Sequence, residues 1–91
     1  MTAIDIKRND QRQRFEAVVD NQLCVLEYTI DGKTISMNHV RVPEAVGGRG
    51  IAGEITRHAL DWARSNDLRV VPNCPYVAGW IERHPEYADL I

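Results

Sequence analysis

Three glycines fall within four positions at Gly47-Gly48-Arg49-Gly50, behind Val42-Pro43-Glu44-Ala45-Val46 and ahead of Ile51-Ala52. A backbone this free of side chains can turn tightly and bring its N–H groups against a ligand with no Cβ in the way. A helix beginning near Gly50 adds unpaired N–H donors and a partial positive charge at its first turn. The chemistry this combination serves is anion binding, with phosphate or pyrophosphate the best fit. Glycine content alone leaves a second reading open, a tight strand-to-helix connection that binds nothing. The two cysteines, Cys24 and Cys74, form no C-x-x-C pair, so neither a zinc site nor a disulfide framework is expected.

The elements that must hold the loop follow from periodicity. Phe15, Ala17 and Val19 alternate with polar residues as a half-buried strand does. Asp20-Asn21 suits a two-residue hairpin turn, and Gln22 to Ile30 places Cys24, Leu26, Tyr28 and Ile30 on one face. Asp31-Gly32 signals a second hairpin, and a third strand runs from Lys33 to Val42. In that strand Ile35, Met37 and His39 share one phase while Val40 and Val42 share the other, which predicts either a β-bulge or a strand covered on both faces. Beyond the loop, Ile51, Ile55, Ala59 and Trp62/Ala63 recur at helical spacing, with Ala52 and Leu60 widening the stripe. Ser65-Asn66-Asp67 ends this helix, Asn66 being able to serve as a left-handed cap. Leu68 to Pro72 reads as a short buried strand, parallel to the third because a helix separates them. Pro75 opens a second helix with Tyr76, Val77, Trp80 and Ile81 as its apolar stripe, stopped by His84-Pro85.

The expected fold is therefore α+β, in the order β-β-β-α-β-α: a three-stranded antiparallel meander with a parallel strand added by helical crossover. One domain spans residues 1–91, with 1–11 as an irregular or short-strand lead-in. The carboxyl ends of the third strand and of the Leu68–Pro72 strand are neighbours on this topology. The segments leaving them diverge, and ligands in open sheets favour such crevices. A phosphate-bearing ligand is thus expected at the helix start, reaching into a cleft that contains Cys74.

Composition narrows the function classes. With 44% hydrophobic and 26% charged residues, the chain has the balance of an ordinary globular domain. Its net charge of −2 and scattered Lys and Arg argue against a protein whose main task is holding nucleic acid. No apolar run suits a membrane span, and Met1 to Lys7 lacks the apolar core of a secretory leader. A cytoplasmic home and no membrane partner are expected.

The residues also carry a resemblance. Val46-Gly47-Gly48-Arg49-Gly50-Ile51-Ala52 resembles the acetyl-CoA pyrophosphate loop of the GNAT N-acetyltransferase superfamily. His39 through Val42-Pro43, this loop, Val71-Pro72-Asn73-Cys74-Pro75-Tyr76-Val77 and Arg83-His84-Pro85-Glu86-Tyr87 together resemble the minimal GNAT-like family, over residues 13 to 91. The Cys-Pro-Tyr-Val and Arg-His-Pro-Glu-Tyr pieces are the specific ones. Against the family's loop pattern, Gly48 and Gly50 hold the two small positions, Ala45 replaces an Arg or Gln, and Gly47 stands where Arg is common.

The resemblance implies a site. Backbone amides from Val46, Gly47, Gly48, Arg49, Gly50, Ile51 and Ala52 would hold the CoA pyrophosphate. The pantetheine would lie along His39, Val40, Arg41 and Val42, in the gap towards Asn73. His39 and Cys74 become candidate catalytic residues by the same resemblance. Histidine can take the proton that an amine must lose before it attacks a thioester. A thiol can protonate the leaving group or, as thiolate, accept the acetyl group. The plain alternatives are a sheet-bonded histidine and an inert core cysteine.

Other polar residues point elsewhere. His58 reads as surface, Cys24 as core, and Tyr76 and Trp80 as core. Arg83-His84 suits the C-terminal cap of its helix better than the 3′-phosphate of CoA. Nothing places Tyr87 near the cleft. The expected function is an acetyl-CoA-dependent N-acetyltransferase that transfers directly to a small-molecule or protein amine, working as a monomer or weak homodimer. The alternatives are a non-catalytic CoA or acyl-CoA-binding module and, behind it, a plain interaction domain with an empty glycine loop.

Overall fold

The computed structural model describes residues 4–91, so the first three residues of the 1–11 lead-in lie outside the described residues. Five strands form one sheet in sequence order: β1 (Lys7–Asn9), β2 (Arg14–Val19), β3 (Gln22–Asp31), β4 (Thr34–Arg41) and β5 (Arg69–Pro72). β1 to β4 run antiparallel, and β5 pairs parallel to β4 after the crossover through α1 (Ile51–Ser65). Helix α2 (Pro75–Arg83) follows β5. The expected three-strand meander gains a fourth member, β1, whose three polar residues carry no apolar alternation.

The two hairpins are built as their turn residues require. Asp20 and Asn21 take φ of 50° and 64°, the left-handed pair of a tight β-hairpin. At the second hairpin Asp31 still pairs with Thr34, so the turn residues are Gly32 and Lys33, one position beyond the expected Asp31-Gly32.

The phase slip in β4 is a bulge. Glu27 pairs with His39 and Tyr28 with Met37, which leaves Asn38 as one extra residue on β4. Ile35 and Met37 before it, and Val40 and Val42 after it, therefore all pack towards the same core. His39 is turned to the other face, beside Arg41, and both are exposed.

One core joins the sheet to both helices. Phe15, Leu26, Ile35, Met37 and Val70 from the strands meet Ile55 and Leu60 of α1 and Val77, Trp80 and Ile81 of α2. Each such aliphatic side chain contributes about 1.5–3 kcal/mol by leaving water. Both helices lie on that one face; the opposite face, with Glu27, Thr29, His39 and Arg41, has neither over it.

The end of α1 and the closing segment differ from expectation in detail. Asn66 has φ −108° and caps through its side chain, donating to the Trp62 carbonyl at 2.8 Å, while Asp67 takes the left-handed φ of 56°. Tyr76, expected in the core, is 38% exposed, because α2 turns only Val77, Trp80 and Ile81 fully inward. Residues Pro85–Leu90 form a 3-10 helix that buries Tyr87 and Leu90. The Tyr87 hydroxyl donates to Asp61 at 2.7 Å and accepts from Arg57 at 3.3 Å, and its burial raises the phenol above its usual range.

Candidate functional site

The loop after β4 begins with a 3-10 turn, Glu44–Val46, pinned by the buried Val46 side chain. Gly47 has ordinary extended geometry, φ −66° and ψ 157°. Gly48 and Gly50 take φ of 80° and 76°, and these are the two positions where glycine is required. A Cβ built at either would meet nothing within 4 Å, so both face open space. Gly50 is the N-cap of α1 and has no side chain to offer the helix. The first helical amide with an acceptor is that of Glu54, which donates to the Gly50 carbonyl at 3.1 Å. The N–H groups of Ile51, Ala52 and Gly53 are thus left pointing out of the helix start, as geometry dictates. Arg49 donates to Asp20 at 2.7 Å and ties the loop to the first hairpin; both side chains are exposed, so the pair adds little stability.

The crevice beside this loop is where β4 and β5 part. Their pairing runs from Thr34 opposite Arg69 to Met37 opposite Pro72, and the Cys74 amide then donates to the Met37 carbonyl at 2.9 Å. Beyond that bond β4 continues through Val40 to Arg41 and the chain passes Val42 towards the loop, while the chain after Cys74 turns into α2. A polar bridge spans the parting strands. Asn73 donates to the Asn38 side chain at 2.9 Å, and Asn38 donates to Thr29 at 3.3 Å. Asn38 was legible only as the site of the phase slip; its bridging amide was not.

The two candidate catalytic side chains flank the crevice differently. Cys74 is the N-cap of α2, is 7% exposed and belongs to the helix-side core. His39 is exposed on the opposite face, directly across from Glu27. No hydrogen bond joins them among the described residues. Val40 and Val42 are half-buried against the core, whereas Arg41 shares the face of His39. Cys24 is fully buried on β3, where desolvation pushes its thiol above the usual range.

A groove of about 210 Å³ starts at the loop and runs between the helices, lined by Gly50, Gly53, Glu54, Arg57, Trp80 and His84. Gly53 brings α2 close, since a Cβ there would stand 3.3 Å from Trp80 Nε1. The His84 ring stacks on Trp80 with centroids 3.7 Å apart, and its Nδ1 meets the Trp80 carbonyl at 2.7 Å. His84 therefore caps α2, as its position implied. His58 is exposed, with its ring edge-on to Phe15. A depression of about 350 Å³ lined by Lys33, Asp67, Arg69 and Asp89 lies at the amino ends of the parallel strands, away from the glycine loop.

A meander with a bulged β4, a parallel β5 that parts from it, and a glycine loop feeding a helix between them define a small GNAT-type domain. The chain belongs to the GCN5-related N-acetyltransferase family, whose model matches residues 14–90. It is similar to Protein NATD1 of Danio rerio, 32% identical over 89 residues that cover 96% of this chain and 80% of that protein. Protein NATD1 of Mus musculus is 32% identical over 85 residues, covering 90% and 77% of the two chains. The NMR structure of a GCN5-like protein from Staphylococcus aureus superimposes with a TM-score of 0.76 at 25% identity, over 99% of this chain and 89% of that one.

Proposed function

We propose that this protein is an acetyl-CoA-dependent N-acetyltransferase that transfers directly from the thioester to an amine. The observation that carries the reading is the pair of left-handed glycines, Gly48 and Gly50, opening onto free space beside the unpartnered amides of Ile51, Ala52 and Gly53. That arrangement fits a diphosphate: several N–H donors converge, and no Cβ stands in the approach. Val46 to Ala52 would hold the diphosphate of CoA, and Val40, Arg41, Val42 and Asn73 would border the pantetheine. When bound, acetyl-CoA supplies the activated acetyl group. His39, exposed on the uncovered face, takes the proton from the incoming amine. Cys74, the buried N-cap of α2 on the helix side, returns a proton to the departing thiolate of CoA, the role that direct transfer leaves for it.

The test begins with calorimetry of CoA and acetyl-CoA, then mass spectrometry for acetyl transfer to a panel of amines. We expect binding and transfer in the parent, and a His39→Gln variant that keeps CoA affinity while turnover falls at least about 100-fold. Cys74→Ser should retain measurable activity, with no acetyl mass left on the protein when the amine is omitted. A hydroxylamine-sensitive adduct on Cys74 together with an inactive Cys74→Ser variant would replace direct transfer by a ping-pong route. Binding without transfer to any amine would leave the CoA-binding module.

A further inference from the structure

Where β4 and β5 part, a chain of three polar side chains crosses the gap. The bulge leaves Asn38 without a partner on β3, since Glu27 pairs with His39 and Tyr28 with Met37. Its side chain works across the sheet instead. Asn38 Nδ2 donates to the Thr29 hydroxyl at 3.3 Å, which leaves Oδ1 to accept from Asn73 Nδ2 at 2.9 Å. Asn73 follows Pro72, the last residue of β5, so the bond spans the first position that the strand ladder leaves open. Thr29 belongs to the sheet face that neither helix covers, and the bridge closes the gap on that face.

The gap is blind at this end. Ahead, Met37 pairs with Pro72 and its carbonyl accepts from the Cys74 amide at 2.9 Å, so the strands are joined. Towards the helices stand Met37, fully buried, and Cys74, also buried. Towards the uncovered face stands the Asn38–Asn73 bridge. The remaining direction runs back along β4 to the glycine loop. Asn38 stands four residues before Val42, about 13 Å away along an extended chain. The pantetheine arm of CoA spans about the length of four extended residues. A diphosphate anchored at the loop therefore puts the thioester level with His39 and Asn38, facing the blind end.

We propose that the Asn38–Asn73 bridge sets the length of the acyl group this protein accepts, admitting acetyl and turning away butyryl and longer chains. The inference rests on the acetyltransferase reading above and adds to it a rule for the donor. An acyl group grows from the thioester into the blind end, so each methylene beyond acetyl must displace the bridge or the joined strands. One methylene too many in a closed apolar site costs about 10- to 200-fold in selection. Thr29 is a positioning residue that acts through Asn38. His39 lies on the loop side of the bridge, which leaves the approach of the amine open.

The test measures binding with the amine omitted. Calorimetry on the full chain compares acetyl-CoA, butyryl-CoA and CoA. The parent should bind butyryl-CoA at least about ten-fold more weakly than acetyl-CoA. Asn38→Ala should bring the two within about three-fold of each other. A melting temperature within about 8 °C of the parent's, the most that one exposed hydrogen bond is worth in so small a domain, shows that the variant is folded. Asn38→Asp keeps an acceptor for Asn73 and should restore the preference for acetyl. Asn38→Ala and Asn73→Ala break the same bond, so the double variant should lose no more selectivity than Asn38→Ala alone. Equal binding of acetyl-CoA and butyryl-CoA by the parent overturns the proposal. So does a parental preference in folded Asn38→Ala, or additive losses in the double variant. CoA binding without acyl selection sinks only this inference. Acyl selection in binding without transfer to any amine sinks only the acetyltransferase reading, and a chain that binds no CoA sinks both.

Discussion

Gly47 and Gly48 are adjacent and chemically identical, yet the structure asks different things of them. Gly47 has φ −66°, open to any residue, and a Cβ there would make ordinary contact with the Glu44 carbonyl oxygen at 3.4 Å. Gly48 has φ +80°, where a β-branched residue is strained by about 1–3 kcal/mol. The Cβ at Gly48 also points into the space the diphosphate is proposed to fill. Gly47→Ala should therefore leave both the melting temperature and CoA affinity near parental values. Gly48→Val should lower the melting temperature and abolish detectable CoA binding. Calorimetry on the folded variants checks both, and a Gly48→Val protein that binds CoA like the parent moves the cradle elsewhere. The sequence offered three equivalent glycines; only the backbone angles distinguish the two that the loop requires.

At the scale of elements, the legible parts were those with a strong local cause. Asp20-Asn21, the α1 stripe and Pro75 each specify their structure through residues that are neighbours in the chain. The bulge was legible as one of two readings, because the odd spacing between Met37 and Val40 requires either a bulge or a strand covered on both faces, and only the pairing decides between them. What stayed hidden depends on partners distant in sequence. The 1–11 lead-in, open between an irregular segment and a short strand, contains a strand because β2 offers β1 a ladder, and Tyr76 stays 38% exposed although its hydroxyl reaches Gly53 beside Trp80. The Pro85–Leu90 segment is held the same way, by the Tyr87 hydroxyl bonded to Asp61 on α1. Burial, and then the bond to Asp61, favour the protonated phenol and raise its pKa in the fold. Its contribution to stability is then fully present below the ordinary tyrosine pKa, near about 10, and is lost as pH rises through the folded value. Tyr87→Phe should cost about 1 kcal/mol at neutral pH. It should also flatten the alkaline limb of the stability curve, read from denaturant midpoints between neutral pH and the tyrosine range. An alkaline limb as steep in Tyr87→Phe as in the parent would show that another group drives it.

For the whole molecule, size sets the terms. A 91-residue domain has about 5–14 kcal/mol of stability, spread over one two-layer core. Leu60 is fully buried in α1 and stands nine residues beyond Ile51, about 14 Å along the helix from the loop. Leu60→Ala should cost about 3–5 kcal/mol through lost burial and the cavity left behind, enough to bring the chain close to unfolding. A ligand that binds only the folded state at 100 times its Kd returns about 2.7 kcal/mol. In a domain this small, each kcal/mol moves the melting temperature by about 4–8 °C. CoA should therefore raise the melting temperature of the parent and of Leu60→Ala by similar amounts, since the mutation is remote from the cradle and leaves affinity intact. Adenosine, which lacks the diphosphate, should raise neither. Scanning calorimetry of both proteins with and without each ligand decides it. A shift by CoA confined to the parent would mean that the glycine loop is not an independent cradle but shares the fate of the core beneath it. Equal shifts by adenosine and CoA would take the binding energy away from the loop amides altogether.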